Sequence, residues 1–174
     1  MRYVALLRGV NVGGGNKVPM AALRAACADL GWKNVRTYIA SGNLIFDSDG
    51  DRPALARDLQ GLMREKMGVD VPVLVLSGEE LRRVLSGCPF EVQDGKHLHC
   101  AFHWLDASLD QDLYESLKIP SEAIKVDGKI AWIHTPEGFG RSKLAEKLGK
   151  VLSQRDYTAR NLNTVRKLVE MLDG

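Results

Sequence analysis

The chain of 174 residues is short of sulfur, aromatic rings and long apolar runs, and each shortage excludes a class of protein. Its three cysteines, Cys27, Cys88 and Cys100, are odd in number and widely spaced. That spacing suits neither a disulfide framework nor a Cys-rich metal site, and it predicts reduced thiols with a structural role. No apolar stretch of ~18 residues is available to cross a bilayer, and the first residues run into a strand pattern instead of a signal peptide. The expectation is a cytoplasmic protein with no membrane partner. Aromatic residues make up 6% of the chain, and the first half carries no aromatic strand of the kind on which ribonucleoprotein sheets stack bases. A nucleophile elbow, a zinc-protease helix and a spaced carboxylate pair are missing too, so nothing demands a cofactor or names a reaction.

What is present is an ordinary globular composition, 45% apolar and 26% charged, with a net charge of +2. The charge is unevenly spread. Residues 1–48 hold six Lys/Arg against two Asp/Glu and residues 141–174 hold eight against four, whereas the middle is acidic. Two basic ends that meet in space make a local positive field on a nearly neutral protein.

The stretch Leu7 to Val18 organises the first half. It reads as a strand, a glycine-rich loop and a helix start. Gly13, Gly14 and Gly15 allow backbone angles that turn successive N–H groups towards one small anion. Arg8, Asn11 and Lys17 supply side-chain donors, and Pro19 opens the helix that follows. The spacing is neither a dinucleotide fingerprint nor a P-loop, which needs Gly-Lys-Ser/Thr at its end.

The element order is regular. Tyr3 to Leu7 predicts a central strand buried on both faces, because it is apolar without alternation. A helix from about Pro19 to Leu30, strands at Val35 to Ala40 and Leu44 to Phe46 joined through Ser41-Gly42-Asn43, a helix from about Pro53 to Met67 and a strand at Val71 to Leu76 complete a β-α-β-β-α-β half. A short helix capped by Ser77-Gly78-Glu79-Glu80 leads to a seam near residues 87–96. The order then restarts. Leu98 to Leu105 is a strand, Ser108 to Leu117 a helix, Ala123 to Val126 and Ile130 to His134 a hairpin across Asp127-Gly128, and Ser142 to Leu148 a helix. A last helix runs from about Ala159 to Leu172, and Arg155 to Tyr157 leaves room for a short strand before it. The predicted fold is α+β, with two ferredoxin-like subdomains in tandem, residues 1–90 and 91–174, the second carrying the C-terminal helix.

Four separated motifs carry a family resemblance: Leu6-Leu7-Arg8-Gly9-Val10-Asn11-Val12-Gly13-Gly14, Tyr38-Ile39-Ala40-Ser41-Gly42-Asn43, Arg141-Ser142-Lys143-Leu144, and Thr158-Ala159-Arg160-Asn161-Leu162-Asn163-Thr164-Val165. Together they resemble the bacterial family called domain of unknown function 1697. The resemblance implies two related α+β subdomains and brings no activity with it.

Strands one and two of a split β-α-β run parallel with strand three between them, so the glycine loop and Ser41-Gly42-Asn43 are expected to be neighbours. Arg141 and Lys143 at one helix start, and Arg160 with Asn161 at another, set cations where helices prefer anions, a mismatch that a bound anion offsets. The expected ligand-binding set is therefore Arg8, Asn11, Gly13, Gly14, Gly15, Lys17, Ser41, Asn43, Arg141, Lys143, Arg160 and Asn161. The partner is an anionic or phosphate-bearing one: nucleotide, metabolite or nucleic acid. Two other classes remain open, an enzyme acting on a small phosphorylated substrate at the same pocket with Ser41 as nucleophile, and an interaction scaffold. His97, His99 and His103 share one face of their strand, which reads as a polar face of a half-buried sheet and not as a metal site. Whether the chain is an enzyme, and its oligomeric state, are left open by the sequence.

Overall fold

The computed structural model describes residues 1–153 and 156–174, and Arg155 of the expected short strand lies outside them. The described residues form a mixed α+β protein with two four-stranded antiparallel sheets and seven α-helices. They divide into two compact units: unit 1 is Met1–Arg83 with Lys167–Gly174, and unit 2 is Val84–Arg166. The divisions fall inside two helices.

Unit 1 is built around β1 (Arg2–Leu7), whose residues Tyr3 to Leu7 are all buried. Apolar side chains on both faces leave no solvated side, so the strand takes the middle of its sheet. It pairs antiparallel with β3 (Asn43–Asp47) and β4 (Val73–Ser77), and β2 (Lys33–Thr37) completes the order β2-β3-β1-β4. Two helices supply the cover: α1 (Met20–Ala26), which tightens into a 3-10 turn at Cys27–Leu30, and α2 (Arg52–Met67). Tyr3, Ala5 and Leu7 face a core with Leu23, Leu59 and Met63, and Trp32 stacks on Phe46 at 3.8 Å between ring centroids. Pro19 is the N-cap of α1 and not its first helical residue, because its ψ of 122° is still extended. The helix α3 (Gly78–Ser86) opens on a capping box, with Ser77 Oγ accepting from Glu80 N at 3.1 Å.

Arg2 ties the unit to the chain's end. Its guanidinium donates to both carboxylate oxygens of Asp47, at 2.8 and 3.2 Å, and to the carbonyls of Leu172 and Gly174, each at 3.0 Å. Arg2 and Asn34 together hold the Asp47 carboxyl down at about 2.

Unit 2 repeats the pattern with different residues. Its strands are β5 (Leu98–His103), β6 (Ala123–Asp127), β7 (Ile130–His134) and β8 (Tyr157–Asn161), in the order β6-β7-β5-β8 with every neighbour antiparallel. The helices are α4 (Gln111–Leu117), α5 (Lys143–Glu146), α6 (Leu148–Val151) and the start of α7 (Leu162–Leu172). The helix expected from Ser108 begins three residues later, because Asp110 caps it by accepting from Leu113 N at 3.1 Å. The exposed side of β6 is partly occupied, since Ile124 N donates to Tyr114 Oη at 3.1 Å, and in the turn after the strand Ala107 N donates to Gly128 O at 2.8 Å.

One correction alters the site. The last helix starts at Leu162 and not near Ala159, since Tyr157 to Asn161 pair along β5 as β8. Arg160 is thus a strand residue opposite Cys100 and not a helix-start cation. Asn161 is the cap instead, its Oδ1 accepting from Thr164 N at 2.9 Å.

The tightest steric constraint in unit 1 lies at Gly42. Its φ is +90°, and a Cβ there would sit 2.6 Å from Leu7 Cβ and 2.7 Å from Val10 Cγ2, while its carbonyl accepts from Leu7 N at 2.9 Å. Gly42→Ala is expected to lower the unfolding free energy by about 2–5 kcal/mol, combining left-handed strain with overpacking. Urea denaturation with an unchanged m-value checks this, and a loss below about 1 kcal/mol would contradict it.

Candidate functional site

The strand order explains why two loops of unit 1 meet. β3 lies between β1 and β2, so those two strands run parallel and end at the same sheet edge. From there the chain makes the loop Arg8–Pro19 after β1 and the loop Tyr38–Gly42 after β2.

The glycine loop is a closed miniature hairpin. Gly15 N donates to Val12 O and Asn11 N to Asn16 O, both at 3.1 Å, and the turn between them is Gly13-Gly14 with φ of +59° and +77°. Positive φ at both central residues is the geometry that glycine pairs supply in two-residue hairpin turns. The expected cradle of converging N–H groups is therefore not formed as read from the sequence: the amides of Asn11 and Gly15 are spent on the loop's own carbonyls. Asn11 fixes the base of this hairpin. Its Nδ2 donates to Val18 O (2.9 Å) and Ala40 O (2.7 Å), and its Oδ1 accepts from Val18 N at 2.8 Å. The bond to Ala40 joins the two loops.

Asn43 does the same for the second loop. It is fully buried and donates to Tyr38 O and Ser41 Oγ, both at 3.0 Å. Ile39 within this loop has φ of +48° and is 51% exposed. A β-branched residue in the left-handed region is an outlier, and its side chain is only half covered. The two asparagines hold it there.

Between the loops and the start of α1 opens a cleft of about 410 Å3, lined by Asn11, Gly14, Lys17, Val18, Pro19, Met20 and Ala40. Lys17 is the single charged lining residue, and it makes no ion pair among the described residues. Of the expected set, Asn11, Gly14 and Lys17 line the cleft, whereas Arg8, Gly13, Gly15, Ser41 and Asn43 do not. The apolar lining escaped the sequence reading. Its signal was only that Val18-Pro19-Met20 is an apolar step directly after Lys17.

The rest of the expected set belongs to unit 2. Arg160 is 7% exposed and donates through Nη1 to Thr158 Oγ1 at 2.7 Å and Ala159 O at 2.8 Å. Burial pulls its guanidinium down to about 10. Arg141 and Lys143 flank Ser142, whose Oγ caps the four-residue α5 by accepting from Ala145 N at 3.0 Å. Arg141 lines a separate pocket of about 280 Å3, and Lys143 does not.

The histidine face also differs from expectation. His99 and His103 share a side of β5 with Ala101, which packs into the helix-covered core of unit 2, while Leu98, Cys100 and Phe102 on the other side are buried as well. The sheet is therefore covered on both faces, and His97 lies outside the strand in a 3-10 turn, Gly95–His97. His103 Nδ1 donates to Ala101 O and Lys129 O, at 3.2 and 3.1 Å, which leaves Nε2 buried without a partner. His99 Nδ1 is likewise buried and unpartnered. No group of three or more metal-ligating side chains gathers among the described residues. Burial pushes the Cys27 thiol up to about 12 and that of Cys100 upward in the same sense, so neither is a thiolate at neutral pH.

The sequence matches the family described as protein of unknown function (DUF1697) over residues 1–132. The chain belongs to that family. A structure of the conserved bacterial protein SP0830 from Streptococcus pneumoniae is similar to it, with a TM-score of 0.75 and 31% identity over 98% of each chain. No curated protein matches the sequence. The family's function is unknown, and no helix of the described residues is long and apolar enough to cross a membrane.

Two outcomes follow from this geometry. Ile39→Gly is expected to leave stability within about 1 kcal/mol of the parent in denaturant melts, because relief of the ~1–2 kcal/mol cost an L side chain meets at a φ of +48° offsets the entropy glycine adds to the unfolded chain. A larger loss would mean that Ile39 is packed and not strained. The second concerns acid. Burial, with a smaller contribution from His97, lowers His99 from 6.5 to about 4, so the unfolded chain binds this proton at a higher pH than the folded one. Stability is then lost as pH falls from about 6.5 towards 4, by up to about 3 kcal/mol. His99→Phe should flatten that part of the stability curve, and an equally steep curve in the variant would refute the assignment.

Proposed function

We propose that unit 1 is a binding module for a small anionic ligand, a carboxylate or phosphate carried on an apolar body, held in the cleft between the glycine loop and the Tyr38–Gly42 loop. The observation that carries this reading is Lys17, an exposed cation with no ion pair among the described residues, in a cleft whose lining contains no acid. Around it the walls of Val18, Pro19, Met20 and Ala40 are apolar, which suits the non-charged part of such a ligand. The strained Ile39 beside Ala40 agrees with this, because strain of this kind persists where the surroundings over-determine it and clusters at ligand clamps.

The enzyme reading lacks comparable support. Ser41 Oγ accepts from the carboxamide of Asn43, a bond that fixes the shape of its loop, and Ser41 does not line the cleft. For the fold, we propose that both units are domains of the ferredoxin-like type, a reading that the shared strand order 2-3-1-4 and the β-α-β-β-α-β succession support.

The test is anion-dependent stabilisation. A ligand that binds only the folded state at ten times its Kd adds about 1.4 kcal/mol. Phosphate and citrate titrations of the full chain are expected to raise Tm, and Lys17→Ala should abolish the shift while Arg57→Ala, on the exposed face of α2, keeps it. Equal shifts in both variants would reduce the effect to general screening and end the proposal.

A further inference from the structure

Unit 2 has a second small pocket, and its lining differs in kind from the cleft of unit 1. The loop between β7 and α5 turns twice, with Gly138 N donating to Thr135 O at 3.0 Å and Ser142 N to Phe139 O at 3.3 Å. Gly138 adopts a φ of +119°, and the stem of Arg141 packs across it. The loop presents the ring of Phe139 to that of His99, with centroids 3.9 Å apart and planes inclined by 29°. Because burial keeps His99 uncharged down to about pH 4, the stack consists of two neutral rings under ordinary conditions.

Phe139 also forms a wall of the open 280 Å3 pocket, with Gly140, Arg141, Ser142, Ala145 and Glu146. Arg141 and Glu146 are both exposed, and neither side chain hydrogen-bonds or ion-pairs with any described residue. The Ser142 hydroxyl, by contrast, is committed to its cap. With only four residues, α5 contributes no dipole of consequence. What the pocket offers is a braced aromatic face with a guanidinium and a carboxylate that are unpaired among the described residues.

We propose that this pocket is a nucleobase subsite of guanine type, with the base stacked on Phe139, its O6 and N7 accepting from Arg141, and its N1–H and N2–H donating to Glu146. Three features select that chemistry. A volume just under the range of about 300–1,000 Å3 usual for whole small-molecule ligands suits one ring system. Recognition of an unstacked base takes an aromatic surface together with hydrogen bonds to the base edge. Arginine pairs with guanine O6 and N7, and of the four bases only guanine offers a carboxylate two neighbouring N–H donors. Adenine presents an acceptor where guanine has N1–H, and would set a lone pair against Glu146. Exposed Lys143, Lys147 and Lys150 lie in the same stretch of chain and favour the phosphates that such a base carries, whether from a free nucleotide or a single strand. This subsite lies wholly within unit 2 and does not rest on the reading of unit 1.

The experiment is calorimetric titration of the full chain with GMP, AMP, CMP and UMP, repeated on Phe139→Leu, Glu146→Gln and Arg141→Ala, with circular dichroism as the check on folding. GMP is expected to bind at least about tenfold more tightly than the other three, the range of a single good base contact. Glu146→Gln should erase that preference, and Phe139→Leu should weaken all four. A guanine-containing single strand that binds more tightly than GMP, with a steep salt dependence, would assign the base to nucleic acid; a strand no tighter than GMP would assign it to a free nucleotide. Equal binding of the four nucleotides, or GMP binding unchanged in folded Phe139→Leu and Glu146→Gln, overturns the proposal.

Discussion

The surface of unit 1 hangs on the carboxamide of Asn11. A primary amide offers two donors and one acceptor oxygen, and here it spends both donors on carbonyls of different segments and its oxygen on Val18 N. These bonds close the glycine hairpin, set the direction in which the chain enters α1 and moor the Tyr38–Gly42 loop. Asp lacks the donors and Ser lacks the reach, so the position has few substitutes. Asn43 makes its bonds fully buried and Asn11 makes its own on the exposed surface, so the two clamp the same pair of loops from inside and outside.

The two units show how one element order can serve different chemistry. Each sheet keeps a central first strand with both faces covered, yet β1 is wholly apolar up to Leu7 whereas β5 carries His99 and His103 into its packed side. Those rings are desolvated and neutral, and each leaves one nitrogen without a partner. In unit 1 the corresponding room is filled by aliphatic side chains and the stacked Trp32 and Phe46. The polar cost of unit 2 is borne inside its core, while the strain of unit 1 sits on the surface at Ile39.

Much of this was legible in the residues. The unbroken apolar run Tyr3 to Leu7 marked a central strand, the capping box at Ser77 and Glu80 marked the start of α3, and the split order of strands made neighbours of the glycine loop and Ser41-Gly42-Asn43. What the sequence concealed were choices made by tertiary contact. Thr158-Ala159-Arg160 is as compatible with a helix start as with a strand, and it pairs with β5 because the edge of that strand was open to it. The glycines did supply unusual backbone angles, but they used them to close a hairpin and not to cradle an anion, since nothing in composition tells which carbonyls the freed amides will find. Of the three histidines expected on one strand face, His99 and His103 share it and His97 lies in the preceding turn; the covering of that face was hidden because the ring over His99 comes from Phe139, forty residues further along the chain.

The guarded edge of β6 bears on the behaviour of the chain in crowded solution. A bare edge strand is a template on which a second molecule can extend the sheet, and it is the usual starting point of runaway association. Along β6 the outward N–H of Ile124 is already held by a tyrosine hydroxyl, and in the turn that follows the carbonyl of Gly128 is held by a loop amide. A docking strand would have to strip the bond at Ile124 before forming its own there. Tyr114 thus does for the edge of β6 what a neighbouring strand would do at that position, and occupies it with a side chain of the same unit.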